Sequence, residues 1–274
     1  MESEDYKEMS DADDEKNIKK VLLIGCGPGG KKHLTIEAYE LIPTLDVALV
    51  DGLVTKDISS LLKPSCEVID VTKKKGSHSA SQDEINELLA KHASTGKQVG
   101  RLKGGDTAVF ARTAEEAKYL IERGFEVQIV AGISSSLLAC NTSGILPTVR
   151  GVSASFSVVS AHLKESRFNT DWIRLLSMKN HTTIVLMGHS FAKEIREAAL
   201  RIGIRGDLPA AYVSHVDLPT QKSVIGTLDD LEELSEISDK PAVLIIGESV
   251  ATHHDMPYVG DKIIYEAVRE GLSA

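Results

Sequence analysis

The sequence has little that would commit it to a membrane, an extracellular compartment or nucleic acid. No apolar run approaches the roughly 20 residues that span a bilayer, although 42% of the 274 residues are apolar. The acidic, polar N-terminus suits neither a secretory signal nor an arginine-rich transit peptide, so a cytoplasmic protein is expected. Cysteine is sparse. Cys26, Cys66 and Cys140 lie far apart, without the spacing of a disulfide framework or a metal site, and read as small apolar fillers in a reducing compartment. Basic charge is not in excess either. Thirty-one Lys and Arg face 40 Asp and Glu, a net charge of −9. The first 18 residues hold eight acids and two lysines, which leaves the body nearly balanced and gives no footprint for nucleic acid. Residues 1–18 are expected to be a disordered acidic tail. There is no internal repeat and no proline- or glycine-rich linker.

What is present alternates between short β-rich runs and helical stretches, the pattern of an α/β fold with mostly parallel strands. Strands are expected at 21–25, 47–51, 99–102, 127–130, 155–160, 184–187, 210–213 and 242–246, with helices at 33–41, 191–202 and 263–268. Ile85, Leu88, Leu89 and His92 share one helical face behind a capping box of Ser81 and Glu84. Thr113 and Glu116 suggest a second capping box ahead of Ala117, Leu120 and Ile121. A boundary near 131–136 divides the chain into α/β domains at 19–130 and 131–274.

Two glycine loops carry the chemistry. Residues 25–30, Gly-Cys-Gly-Pro-Gly-Gly, follow a strand and satisfy the dinucleotide pattern G-x-G-x-x-G. Pro28 removes an amide donor from the loop that would cradle phosphate, and a plain strand-to-helix turn is the alternative. Residues 101–106, Arg-Leu-Lys-Gly-Gly-Asp, place Gly104, Gly105 and Asp106 directly after another strand. The glycines let a ligand lie against backbone, and the carboxylate accepts hydrogen bonds. An acid at the apex repels phosphate, so a cationic or donor-rich ligand fits better. S-adenosylmethionine is both.

The ordered set of motifs resembles the tetrapyrrole methylase family, in its uroporphyrinogen-III C-methyltransferase branch. The resemblance runs over about residues 20–250: the 25–30 loop with Leu34-Thr35, Asp51 to Val54, Gln82 to Asn86, the 101–106 loop and Phe110 to Arg112 with Glu115-Glu116. It continues through Val130 to Ser135, Gly144 to Arg150, Met187-Gly188 and Pro241 to Gly247. It implies two α/β domains with S-adenosylmethionine in the cleft between them, in a homodimer. Pro28, Gly104, Gly105, Asp106, Val109, Ser134, Ser135 and Met187 would then contact the cofactor. Unaided by the resemblance, Met187 reads as the end of a core strand and Ser134 and Ser135 as helix caps.

The resemblance further implies Asp51 as proton acceptor, Lys73 as proton donor and Arg112 as a contact to the tetrapyrrole, with Arg150 and the lysines at 73–75 as anchors for its carboxylates. The implied reaction is double C-methylation of uroporphyrinogen III to precorrin-2, for sirohaem or cobalamin. The chain has no room for a dehydrogenase–chelatase domain, so methylation alone is expected. It departs from the family pattern at Gly30, Thr72, Thr107, Ala111, Ala131, Val149, Ser160, Ala161 and 214–218. Many of these fall around the cleft, so a same-fold methyltransferase acting on a later corrinoid intermediate or a peptide is the alternative. A cofactor-binding regulator and a nicotinamide oxidoreductase are further alternatives. His162 reads as substrate-lining or structural, and His253-His254 as surface.

Overall fold

The computed structural model describes residues 20–72, 81–163, 167–255 and 263–266. The first sheet is wholly parallel, in the order β3-β2-β4-β1-β5. Its strands are β1 (Lys20–Gly25), β2 (Val47–Val50), β3 (Glu67–Asp70), β4 (Val99–Lys103) and β5 (Glu126–Val130). Both faces of its inner strands are buried, so β1 and β2 read as apolar runs, whereas β4 buries Arg101 and Lys103 among its apolar residues. Leu22, Ile24, Ala48, Val50 and Leu102 pack on one face against α1 (Ile36–Leu41) and α2 (Lys56–Ser59). Val21, Leu23, Val47, Leu49 and Val99 pack on the other against α3 (Gln82–Ala93) and α4 (Thr113–Ile121). The neighbours β1 and β4 thus feed helices on opposite faces. Their C-terminal ends form the switch point where open α/β sheets place ligands.

The second sheet is mixed, ordered β11-β9-β8-β10-β7-β6. It comprises β6 (Ser155–Ser160), β7 (His181–Leu186), β8 (Pro209–Ser214), β9 (Lys222–Thr227), β10 (Ala242–Ile246) and β11 (Ile263–Glu266). Its central pairings β7–β10, β10–β8 and β8–β9 are antiparallel; the all-parallel pattern belongs to the first sheet alone. Helix α5 (Ser135–Ser143) joins the sheets, and α6 (Ala192–Arg201) and α7 (Leu231–Ile237) pack with Trp172 and Tyr212 in the second core. Among the described residues no helix is long and apolar enough to cross a membrane.

Three expectations need correction. Residues 263–266 form a strand, because Ile263, Ile264 and Tyr265 pair in register with Lys222, Ser223 and Val224; sheet pairing outweighs a weak helical pattern. Ser81 and Glu84 do make a capping box, but Thr113 and Glu116 do not. The N-cap of α4 is Arg112 in a left-handed conformation, and the Thr113 hydroxyl donates instead to Thr107 O at 2.5 Å. Glu116 turns inward towards buried cations. His253 is also buried, with its Nδ1 2.9 Å from Val250 O. Four elements went unforeseen: β3, β9, α2 and α7; α5 does begin directly after Ser134, which reads as a helix cap.

Candidate active site

Three loops meet at the switch point. The Cys26 amide donates to Lys103 O at 2.8 Å, and Gly27 and Gly105 exchange backbone hydrogen bonds of 3.0 and 3.1 Å. The loop after β5 joins them through Gly132, whose amide donates to Asp106 Oδ2 at 2.8 Å. Asp106 Oδ1 accepts from the Ala108 amide at 2.8 Å. The carboxylate expected to face a ligand therefore also ties two loops together, while each oxygen retains a lone pair. Gly105 has φ +79° and nothing within 4 Å of where a Cβ would stand. Its absent side chain opens a shelf of bare backbone.

Asp51 follows β2 directly and is partly exposed. Its amide donates to Leu102 O at 3.1 Å, so strand pairing fixes its backbone beside β4. The adjoining Leu53 packs so closely on the shelf that a Cβ at Gly104 would lie 2.5 Å from Leu53 Cβ. Beneath Asp51 runs a chain of buried charges. Arg101 Nη2 stands 3.6 Å from Asp51 Oδ2 and Arg101 Nε 3.5 Å from Glu116 Oε1, and Lys103 Nζ donates to Glu116 Oε2 at 2.6 Å. Burial pushes the Lys103 ammonium below its ordinary range, against the opposing pull of Glu116. The sequence suggested no separate role for Arg101 and Lys103, and for Glu116 only a place in a capping box. The available signal was the period of two that sets Arg101 and Lys103 on the face of Val99, towards α4.

Arg112 is exposed and forked onto Glu115 by bonds of 3.0 and 2.6 Å, which holds its guanidinium above the usual arginine range. Lys73 lies outside the described residues. Val109 and Pro28 are partly buried in the converging loops. Ser134 is the N-cap of α5, its Oγ accepting from the Ser136 amide at 3.3 Å, and Ser135 is the first residue of that helix. Met187 follows β7, 48% exposed and with φ +59°. His162 meets Phe191 edge-on at 5.4 Å.

Asp217, in the loop between β8 and β9, reaches the first glycine loop. Its Oδ2 stands 2.5 Å from both His33 Nε2 and Lys32 Nζ. A Cβ at Gly29 would lie 2.9 Å from Asp217 Cβ. The second sheet is thereby fastened to the loop that carries Pro28. Nothing in the sequence pointed to this pairing across 184 positions.

A parallel sheet with glycine loops meeting at its switch point, joined to a mixed sheet by a loop contact, defines a ligand-handling α/β protein rather than a structural one. Residues 20–232 match the family described as Tetrapyrrole (Corrin/Porphyrin) Methylases. The chain is 34% identical to the uroporphyrin III C-methyl transferase of Thermus thermophilus, with TM-score 0.72 over 85% of this chain and 99% of that one. The form of that protein complexed with S-adenyl homocysteine superposes with TM-score 0.73 at 34% identity. A sirohaem synthase of Actinobacillus pleuropneumoniae serotype 7 is 35% identical over 247 residues, covering 90% of this chain and 51% of that protein. The chain spans about half the length of the curated sirohaem synthases it matches. It belongs to the tetrapyrrole methylase family.

Proposed function

We propose that this protein transfers methyl groups from S-adenosylmethionine to two carbons of uroporphyrinogen III, yielding precorrin-2, and works as a cytoplasmic homodimer of two-domain chains divided near residues 131–136. One observation carries the reading. A partly exposed carboxylate, Asp51, stands at a strand end next to the strand that leads into a backbone shelf open at Gly105, in a chain that covers 99% of a uroporphyrin III C-methyl transferase at 34% identity. The shelf suits S-adenosylmethionine, since bare backbone admits a flat group closely and Asp106 supplies acceptors for its donors. Pro28, Val109, Ser134, Ser135 and Met187 would complete its surroundings. When bound, it supplies a methyl group on a sulfonium, open to in-line attack by an electron-rich pyrrole carbon. The homodimer draws support from exposed Ile36 and Tyr39 on α1 and exposed Ile129 on the edge strand β5, elements joined by a Gln128–Glu37 hydrogen bond of 2.7 Å.

The protein's own contribution is alignment and proton handling. Asp51 accepts the proton lost from the macrocycle, and Lys73 returns one. Arg112 is preorganised by Glu115, and a substrate carboxylate would take that acid's place on the same donor fork. Arg150 offers a second anchor. The test is anaerobic turnover of purified protein with S-adenosylmethionine and uroporphyrinogen III, with products weighed by mass spectrometry. A gain of two methyl groups, abolished by Asp51→Ala in a folded protein that still binds S-adenosylhomocysteine, establishes the reading. Tight cofactor binding without methylation removes the uroporphyrinogen assignment and points to another acceptor.

A further inference from the structure

We infer that Glu116 is a positioning residue for the methyl-transfer reaction, holding Asp51 in place through Arg101. This rests on the reading of Asp51 as the proton acceptor. Glu116 lies in the first turn of α4 with its side chain 1% exposed, and donors converge on its two oxygens. Lys103 Nζ approaches Oε2 at 2.6 Å, and Gln82 Nε2 approaches Oε1 at 3.1 Å. Gln82 also donates to the buried Asn86, so α3 braces the acid from behind. Arg101 Nε faces Oε1 at 3.5 Å and has no hydrogen-bond partner of its own.

The consequence for Asp51 follows from how Arg101 is held. Its Nη1 donates to Leu49 O at 3.4 Å and Leu102 O at 3.0 Å, the carbonyls of two paired strands. Its Nη2 points at Asp51 Oδ2, and its Nε side is drawn to Glu116. A planar guanidinium gripped on two edges presents the third in a fixed direction. Removing the charge of Glu116 leaves Arg101 and Lys103 as two buried cations two residues apart on one strand face. With or without Lys103, the Nε side of Arg101 then loses the carboxylate that faces it and is left buried and unmet, which would turn Arg101 towards the solvent-exposed side, taking Asp51 with it. The shelf is held separately, by the backbone bonds of Cys26, Gly27 and Gly105, so cofactor binding should survive.

The experiment measures kcat with saturating S-adenosylmethionine and uroporphyrinogen III, the Kd of S-adenosylhomocysteine, and thermal stability. Four variants are needed: Glu116→Gln, Lys103→Met/Glu116→Gln, Asp51→Asn, and the double variant with Asp51→Asn added. The double variant removes both members of the buried pair, which restores charge balance and keeps the test open if Glu116→Gln alone unfolds. The expected result is a Kd near that of the parent in both Glu116 variants and a kcat lower by about tenfold or more. Adding Asp51→Asn to the double variant should then cost nothing beyond Asp51→Asn alone. A double variant with restored stability and parental kcat would overturn the inference and leave Glu116 as packing. So would a loss confined to the Kd, which would place Glu116 with the shelf. If Asp51→Asn is inactive while both Glu116 variants turn over normally, only the inference fails. If Asp51→Asn turns over fully, the proton-acceptor reading fails with it.

Discussion

Gly25, the last residue of β1, stands against Gly132 in the loop after β5: a Cβ on Gly25 would lie 2.6 Å from the Gly132 nitrogen and 2.8 Å from its Cα. The same Cβ would meet Gly105 O at 3.0 Å. All three neighbours are backbone atoms, held by the Gly132–Asp106 and Gly27–Gly105 hydrogen bonds, so none can rotate away as a side chain would. Gly25→Ala should therefore destabilise the protein by about 1–3 kcal/mol through overpacking and weaken S-adenosylhomocysteine binding. Urea denaturation and calorimetry check both. A variant of parental stability would show that the loops separate easily.

Gly105 presents the opposite case, with open space where a side chain would project. Gly105→Ala should lower stability only by the strain of a left-handed alanine, about 1–2 kcal/mol. Its methyl group would occupy the shelf, so the Kd for S-adenosylhomocysteine should rise by about tenfold or more, at the 1.4 kcal/mol that each factor of ten represents. Calorimetry on the folded variant decides. Unchanged affinity would mean that the ligand lies elsewhere.

Asp217 joins the second sheet to the first glycine loop through His33 and Lys32. The lysine is largely exposed and contributes little, whereas the His33 contact is mostly shielded. Asp217→Asn keeps the shape and removes the charge, and should cost about 1–3 kcal/mol. Cofactor affinity should fall with it, because Gly29 packs directly on Asp217. A variant with lowered stability but undiminished affinity would show that the contact merely braces the fold.

Burial pushes the thiols of Cys26 and Cys140 up to about 12. A thiol raised in the folded state contributes its full stability below the unfolded value of about 8.5 and loses it as the pH climbs towards 12. Between pH 8.5 and 10 the unfolding free energy from urea titration should fall, with a slope approaching about 1.4 kcal/mol per thiol per pH unit, and Cys26→Ala should flatten that slope. Partly exposed Cys66 should react first with iodoacetamide in native protein, as mass spectrometry would reveal. Alkylation of Cys26 or Cys140 at a similar rate would contradict the burial.

Much of the fold could be read before any coordinates. The apolar runs of the first sheet and the glycines at their ends carry it, because a doubly covered parallel strand and a sharp backbone turn each leave a local mark. Of α5 only the start was legible, at the capping Ser134: its sequence from Ser135 to Ser143 has no amphipathic stripe and is rich in small polar residues, so its packing against the second sheet sustains the helix. The capping pattern of Thr113 and Glu116 misled for a similar reason. Two buried cations on β4 offered Glu116 a stronger partner than its own backbone.

The α/β alternation, the two glycine loops and the position of Asp51 at a strand end are written locally, since each depends on contacts among near neighbours in the chain. That Gly25, Gly105 and Gly132 touch, that Glu116 faces inward and that Asp217 closes on His33 follows from the folded arrangement alone. Those contacts link residues separated by many positions, and their energies exist only once strand order has brought three loops to one edge of the sheet.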